Sequence, residues 1–287
     1  MNDLRLDREL RLRAPAEINL GLEIIGKRLD GYHEIVTILQ TIDLCDYIVL
    51  TPADRFAYKL DPRIPPHDDL ILRTVDLIRA RLGVSLQAHL RLEKQIPLAG
   101  GLGGGSSNAG TLLAAIGELV GIPMTDLIPI AAELGSDVPF FLYGGTVLAT
   151  GTGTDLELLP SPSAPLPLVL VIPDVEIPRK TATLYASLTT DDFSDGGATR
   201  QVADQLRQGN ALDVAMLQNA FARALYAYAP IREARDELMQ AGANVVLPSG
   251  AGPSLVGIFP DHLSAQAALT DWPSDRRFLP RLVAALR

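Results

Sequence analysis

The chain has 287 residues, 47% of them hydrophobic and 21% charged, a balance that argues against extensive disorder, and its length favours two domains over one. A net charge of −9 speaks against a nucleic-acid or anionic-membrane surface, so any positive field has to be local to a site. The one cysteine, Cys45, excludes an internal disulfide, and the four histidines, His33, His67, His89 and His262, lack metal-ligand spacing, so no structural zinc site is expected. The N-terminal stretch is charged and carries no apolar signal core, and no run approaches a membrane span, so a cytoplasmic protein is expected.

In chain order, residues 11–26 and 33–50 carry β-branched and alternating segments joined by a polar connection containing Asp30-Gly31, which predicts a β-rich start. Leu70, Leu72, Val75, Ile78 and Leu82 repeat at helical spacing over 69–82. Leu86, Ala88, Leu90 and Leu92 then alternate with polar residues as in a half-buried strand. That strand leads through Lys94 and Pro97 into a loop in which five of the six residues 100–105 are glycine, followed by Ser106, Ser107 and Asn108. Helices are predicted over 106–120 and over 125–134, the second with Thr125 as its N-cap, and a strand over 145–150. Residues 161–167 form a Ser/Pro-rich break, which sets a domain boundary near 160. Beyond it, strands near 168–172, 245–247 and 254–259 and helices near 181–188, 199–208, 213–228, 231–241 and 263–269 describe an open α+β sandwich.

The glycine loop reads as a phosphate cradle. Residues without a side chain let backbone N–H groups close on an anion, and a helix N-terminus adds unpaired donors and a favourable dipole. The plain alternative is a tight strand-to-helix turn, which does not call for so many glycines. A Walker loop would end in Gly-Lys-Ser/Thr, which is missing, and a dinucleotide fingerprint would need an acidic residue about twenty positions further on, whereas Glu118 is too near.

Five segments together, Ala14 to Leu20, Asp30 to Glu34, Gly100 to Asn108, Gly135 to Phe141 and Ser249 to Gly252, resemble the GHMP superfamily of small-molecule kinases. The Asp-Gly-Tyr-His run beside Pro-Ala-x-Ile-Asn-Leu resembles its cytidyl-substrate branch. The resemblance implies an α+β, two-domain GHMP kinase fold. Residues 1–160 would form a ribosomal protein S5 domain 2-like N-terminal domain and residues 161–287 a ferredoxin-like α/β sandwich, with ATP and substrate meeting in the cleft between them. It also implies ATP-dependent phosphorylation, with Mg²⁺, of the 2-hydroxyl of 4-diphosphocytidyl-2-C-methyl-D-erythritol in isoprenoid precursor synthesis. The partner would be that small cytidyl substrate, with no nucleic acid and no membrane, in a monomer or weak homodimer.

Residue by residue, the resemblance makes Asp137 the group that orients the acceptor hydroxyl or takes its proton. It gives Lys94, Pro97, Gly101, Gly103, Gly104, Gly105, Ser106, Ser107, Asn108 and Asp69 to ATP. Asn19, Tyr32, His33, Tyr185, Gly250 and Gly252 go to the substrate. Each residue also has a plain reading: a turn Asp, a strand Asn, a surface His, a core Tyr on a helix, a hairpin glycine. Two positions depart from the family pattern. Asp69 stands where asparagine is usual and loses an amide donor. Glu17 stands where the family carries a lysine facing the transferring phosphate. At roughly 4 Å and an effective dielectric near 20, a unit-charge contact is worth on the order of 4 kcal/mol, so this reversal turns an attraction into a repulsion of similar size. Lys27, Arg28 or Lys180 could supply a cation instead, or Mg²⁺ could bridge Glu17 to the phosphates. The alternatives to a working cytidyl-substrate kinase are a catalytically impaired nucleotide-binding homologue and a GHMP kinase for another small alcohol.

Overall fold

A computed structural model describes residues 2–272 and 280–286. The chain divides into two compact units built from interleaved stretches: Met1–Ala16, Leu44–Pro97 and Gly103–Tyr143 in the first, Glu17–Asp43, Leu98–Leu102 and Gly144–Arg287 in the second. The cut expected near residue 160 falls inside the second unit, because two long strands run from one unit into the other.

Those strands are β2 (Leu10–Lys27) and β3 (His33–Pro52), and they pair with each other. The connection between them turns at Gly31, whose φ of +89° suits a residue without a side chain. Arg28 N–H donates to the Tyr32 carbonyl at 2.8 Å, and the Arg28 guanidinium bonds Asp30 and Glu34.

In the first unit, β1 (Asn2–Arg5) lies parallel to β5 (Val84–Glu93), which pairs antiparallel with Tyr47–Pro52 of β3, and the short β4 (Ala57–Tyr58) also joins β5. The expected alternation holds: Leu86, Ala88 and Leu90 are buried, while His89 and Arg91 are exposed. The buried row packs with α1 (Leu70–Leu77), α2 (Gly104–Val120) and α3 (Met124–Leu134) into one core that includes Ile71, Leu112, Leu113, Ile116, Leu127 and Ile130. Each such side chain contributes about 1.5–3 kcal/mol by leaving water. Helix α1 runs on through a π-helical turn over Ile78–Leu82 and stops at Gly83, which is left-handed. The N-cap of α3 is Pro123, not Thr125, which lies inside the first turn. A tight turn at 136–139 leads into the single-turn α4 (Phe140–Tyr143).

In the second unit, β6 (Thr146–Gly151) pairs with Ile35–Gln40 of β3 and with β7 (Asp155–Leu159), a strand that periodicity did not reveal. A separate antiparallel sheet has the order β11-β8-β10-β9, formed by Arg281–Val283, Leu168–Val171, Leu255–Ile258 and Val245–Pro248. With this sheet go α5 (Lys180–Ala186), α7 (Ala222–Leu225), α8 (Ala229–Gln240) and α9 (His262–Thr270), and their core joins Val169, Leu184, Phe221, Leu225, Ile231, Leu238, Leu255 and Phe259, while α6 (Gly197–Arg207) lies against β7.

The helix expected over 213–228 is a correction. Only a 3₁₀ turn at Val214–Met216 and the one-turn α7 form. Between them the backbone leaves helical geometry to pair with β2: Leu22 N–H donates to Gln218 O at 2.8 Å and Ala220 N–H to Leu22 O at 2.9 Å. A long-range ladder thus overrides a local helical pattern.

Candidate active site

In the first unit, the glycine loop ends at Gly103, with φ +65°, and α2 begins at Gly104. The first helical bond runs from Ser107 N–H to Gly103 O at 2.8 Å, so the N–H groups ahead of it have no partner within the helix. A Cβ on Gly104 would stand 2.9 Å from Ile96 Cγ2 and 3.2 Å from Lys94 Nζ, so this stretch admits no side chain without displacing its floor. Ser107 Oγ and Asn108 Oδ1 are buried without a hydrogen-bond partner among the described residues. Bare backbone donors, a helix N-terminus and the unsatisfied Ser107 hydroxyl fit an anionic ligand, whereas Asn108 Oδ1 can only accept and calls for a donor.

Asp46 on β3 organises the approach to this loop. It is fully buried. Its Oδ1 accepts from Gln95 N–H at 2.7 Å and Ile96 N–H at 2.8 Å, while its Oδ2 accepts from Asn108 Nδ2 at 3.0 Å and from Lys94 Nζ. Lys94 is therefore anchored beside Gly104, and Pro97 follows the segment that Asp46 fixes. Sequence reasoning missed Asp46, although its signal was visible: it shares the parity of buried Leu44, Ile48 and Leu50 along the strand. Asp69 is buried and spent within the protein, capping α1 through Leu72 N–H at 3.1 Å and accepting from Tyr58 OH at 3.1 Å. Burial and the Asp69 charge raise the Tyr58 hydroxyl well above its usual range. Beside these residues, Tyr58, Lys59, Asp61, Arg63, Leu92 and Lys94 line a cavity of about 370 Å³.

Asp137 lies in the turn after α3, open to solvent and hydrogen-bonded by Ser136 Oγ at 3.1 Å. It is crowded by protein without being closed off. Desolvation pushes its carboxyl above the ordinary range, against the smaller opposing effect of Ser136.

In the second unit, a glycine turn at 249–254 docks on residues 98–102. Ser249 Oγ donates to Gly101 O at 2.8 Å, Ser254 N–H donates to Gly100 O at 3.1 Å, and Lys180 Nζ donates to Ala99 O at 2.7 Å and also to Gly252 O. Gly101 has φ +78°, and a Cβ there would stand 2.5 Å from Gly252 O. Asn19 holds the other side of the turn: its Oδ1 accepts from Gly250 N–H at 2.5 Å and its Nδ2 donates to Thr37 Oγ1 at 2.7 Å. Asn219, which the sequence did not single out, donates to Pro248 O and Gly250 O, each at 3.0 Å. Glu17 is buried on β2, with its N–H donating to Leu102 O at 3.1 Å.

The same unit brings two predicted substrate residues together. The His33 ring stacks on Tyr185 with centroids 4.7 Å apart and planes at 27°, Phe193 meets His33 edge-on at 6.2 Å, and Phe221 meets Tyr185 edge-on at 5.0 Å. Burial, then the Lys27 charge, lowers the His33 pKa, so its imidazole is neutral at pH 7 and offers one donor and one acceptor. Tyr32 is apart from this group and exposed at the hairpin. Among the described residues no group of three or more His, Cys, Asp or Glu is placed to hold a metal ion, and no helix is long and apolar enough to cross a membrane.

This architecture and loop are those of a known class. The model for the GHMP kinases N terminal domain matches residues 69–145 and that for GHMP kinases C terminal matches 198–276. The protein is a small-molecule kinase of the GHMP class, with its two-domain α+β fold. A 4-diphosphocytidyl-2-C-methyl-D-erythritol kinase of Dehalococcoides mccartyi is 36% identical over 90% of this chain and 92% of its own length, and one of Gloeobacter violaceus is 34% identical over 90% and 88%. A crystal structure of a 4-(cytidine 5'-diphospho)-2C-methyl-D-erythritol kinase superposes with a TM-score of 0.80 at 29% identity, covering 97% of this chain and all of that one. The chain belongs to the 4-diphosphocytidyl-2-C-methyl-D-erythritol kinase family. A homoserine kinase from Cytophaga hutchinsonii, with a TM-score of 0.75 at 20% identity, shares the fold.

Proposed function

We propose that the chain transfers the terminal phosphoryl group of ATP to the 2-hydroxyl of 4-diphosphocytidyl-2-C-methyl-D-erythritol. The observation that carries the substrate is the His33–Tyr185 ring pair, braced by Phe193 and by the buried Phe221, which offers a flat apolar face for a pyrimidine and a neutral imidazole for its polar edge. The relatives named above support this reading over a kinase for another small alcohol. Tyr32, exposed on its hairpin, is available to close on the base.

Transfer is direct. The acceptor oxygen forms the new P–O bond as the bond to the ADP oxygen breaks, and the acceptor proton passes to the Asp137 carboxylate. A raised pKa makes that carboxylate a better base than an ordinary aspartate. The N–H groups of Gly103, Gly104, Gly105 and Ser106, with the hydroxyls of Ser106 and Ser107 and the amide of Asn108, hold the donor's phosphates. Lys94, positioned by Asp46, and the neighbouring cavity take the nucleoside end. Asp69 keeps its part by holding α1 and Tyr58. Asn19, Gly101, Gly250 and Gly252 act by shaping the second glycine turn. Asp137 or Glu17 would be the carboxylate available to hold the Mg²⁺ that accompanies ATP, which would supply neutralisation of phosphate charge. We place the enzyme in the cytoplasm as a monomer or weak homodimer.

Tyr185→Ala tests the substrate assignment. Losing one stacking face, worth about 0.5–1.5 kcal/mol beyond its buried area, should raise KM for the cytidyl substrate severalfold and leave KM for ATP unchanged. An equal effect on both KM values would sink the assignment.

A further inference from the structure

Of the three cations that could stand in for a missing charge near the phosphates, two are engaged elsewhere or open to water. Lys27 is exposed, and Arg28 is exposed and bound to Asp30 and Glu34. Lys180 differs. Its Nζ donates to the carbonyls of Ala99 and Gly252, one from each of two docked turns. Among the described residues it forms no ion pair, although Asp174 and Glu176 line the same cavity of about 550 Å³ together with Ala99, Gly100 and Arg179. An ammonium has three donors, so one remains after the two carbonyls. The two non-glycine residues with positive φ among those described, Ala99 at +56° and Arg179 at +46°, both adjoin this contact. Backbone held in that region is strained and persists where the surroundings over-determine it, as at ligand clamps.

We propose that Lys180 is a further ligand-contacting residue of this kinase: pinned by the Ala99 and Gly252 carbonyls, its ammonium gives its remaining N–H to a phosphate oxyanion of a bound nucleotide. The inference rests on the kinase reading above. Holding a cation in a partly desolvated place without a carboxylate is unfavourable, and burial brings its pKa down to about 8. An arriving phosphate supplies the missing counter-charge through a short charge-assisted bond. The oxyanion has two possible sources, the phosphates of the donor and the diphosphate of the cytidyl substrate, and both offer the same chemistry.

Calorimetric titration of the full chain with ADP, adenosine, CDP and cytidine tests this for wild type, Lys180→Gln and Lys180→Met. Gln keeps donors for the two carbonyls and removes the charge, whereas Met removes both. The expected result is that Lys180→Gln weakens one diphosphate by about tenfold or more, the scale of one charged hydrogen bond, with the matching nucleoside unaffected. A loss for ADP alone assigns the donor's phosphates, and a loss for CDP alone assigns the substrate's diphosphate. Lys180→Gln binding both diphosphates as wild type does, while Lys180→Met is only less stable, would overturn the proposal and leave Lys180 as a structural clamp. Equal loss for a diphosphate and its nucleoside would overturn it as well. Wild-type protein that binds neither diphosphate would refute the kinase reading, and this assignment with it.

Discussion

At the scale of residues, Asp137 carries the sharpest prediction. Its folded pKa lies above the ordinary aspartate value, so between the two values the folded chain holds a proton that the unfolded chain has released. Stability from this group is therefore present at low pH and is lost as pH rises through the folded pKa, and at neutral pH the ionised carboxylate is a cost. Asp137→Asn removes that cost together with the base. The variant should lose about 10²–10⁴ in kcat, the usual worth of a positioned base, while melting no lower than wild type at pH 7. A variant that keeps its rate, or one that loses rate only because it melts earlier, contradicts the assignment. The wild-type rate should also fall on acidification at a pH above the usual aspartate range.

At the scale of elements, the loop depends on groups far away in sequence. Asp46 gathers Lys94, Gln95, Ile96 and Asn108 across separations of 48 to 62 residues. Asp46→Ala leaves the Lys94 ammonium, whose side chain is 10% exposed, without its counter-charge. Breaking a buried pair by removing one partner costs about 3–5 kcal/mol, so thermal unfolding should show a loss of that order together with weaker nucleotide binding. A change within about 0.5 kcal/mol, the range of ordinary surface substitutions, would show that the loop does not need this anchor. The contrast explains what was readable in advance. The strands β2, β3 and β5 and helix α2 follow from spacing along the chain, and so does the suspicion raised by consecutive glycines. The break at 217–221 and the hub at Asn219 depend on partners that no local pattern reports, and at Asp46 strand parity signals the burial but not the partners. The same holds for Asn19: its residue type was noticed, whereas its bonds to Thr37 and Gly250 come only from the assembled turn.

At the scale of the whole molecule, the order of motifs along the chain made the family legible, and the structure supplies the reasons for several of them. His33 and Tyr185 are 152 positions apart, yet they stack. Gly101 and Gly252 each lack a side chain where the two turns meet. Glu17, where the resemblance implies a lysine, bonds Leu102 of the glycine loop through its N–H, and Lys180 is the cation that the fold sets beside the same loop. The direct measurement is ADP release with the purified full chain, ATP and Mg²⁺, comparing 4-diphosphocytidyl-2-C-methyl-D-erythritol with mevalonate and homoserine and locating the added phosphate by phosphorus NMR. The account predicts one ADP per phosphorylated cytidyl substrate, with the phosphate on the 2-hydroxyl and the other two alcohols near background. No ADP above background with the cytidyl substrate at high enzyme concentration, or faster turnover of mevalonate or homoserine, would contradict it.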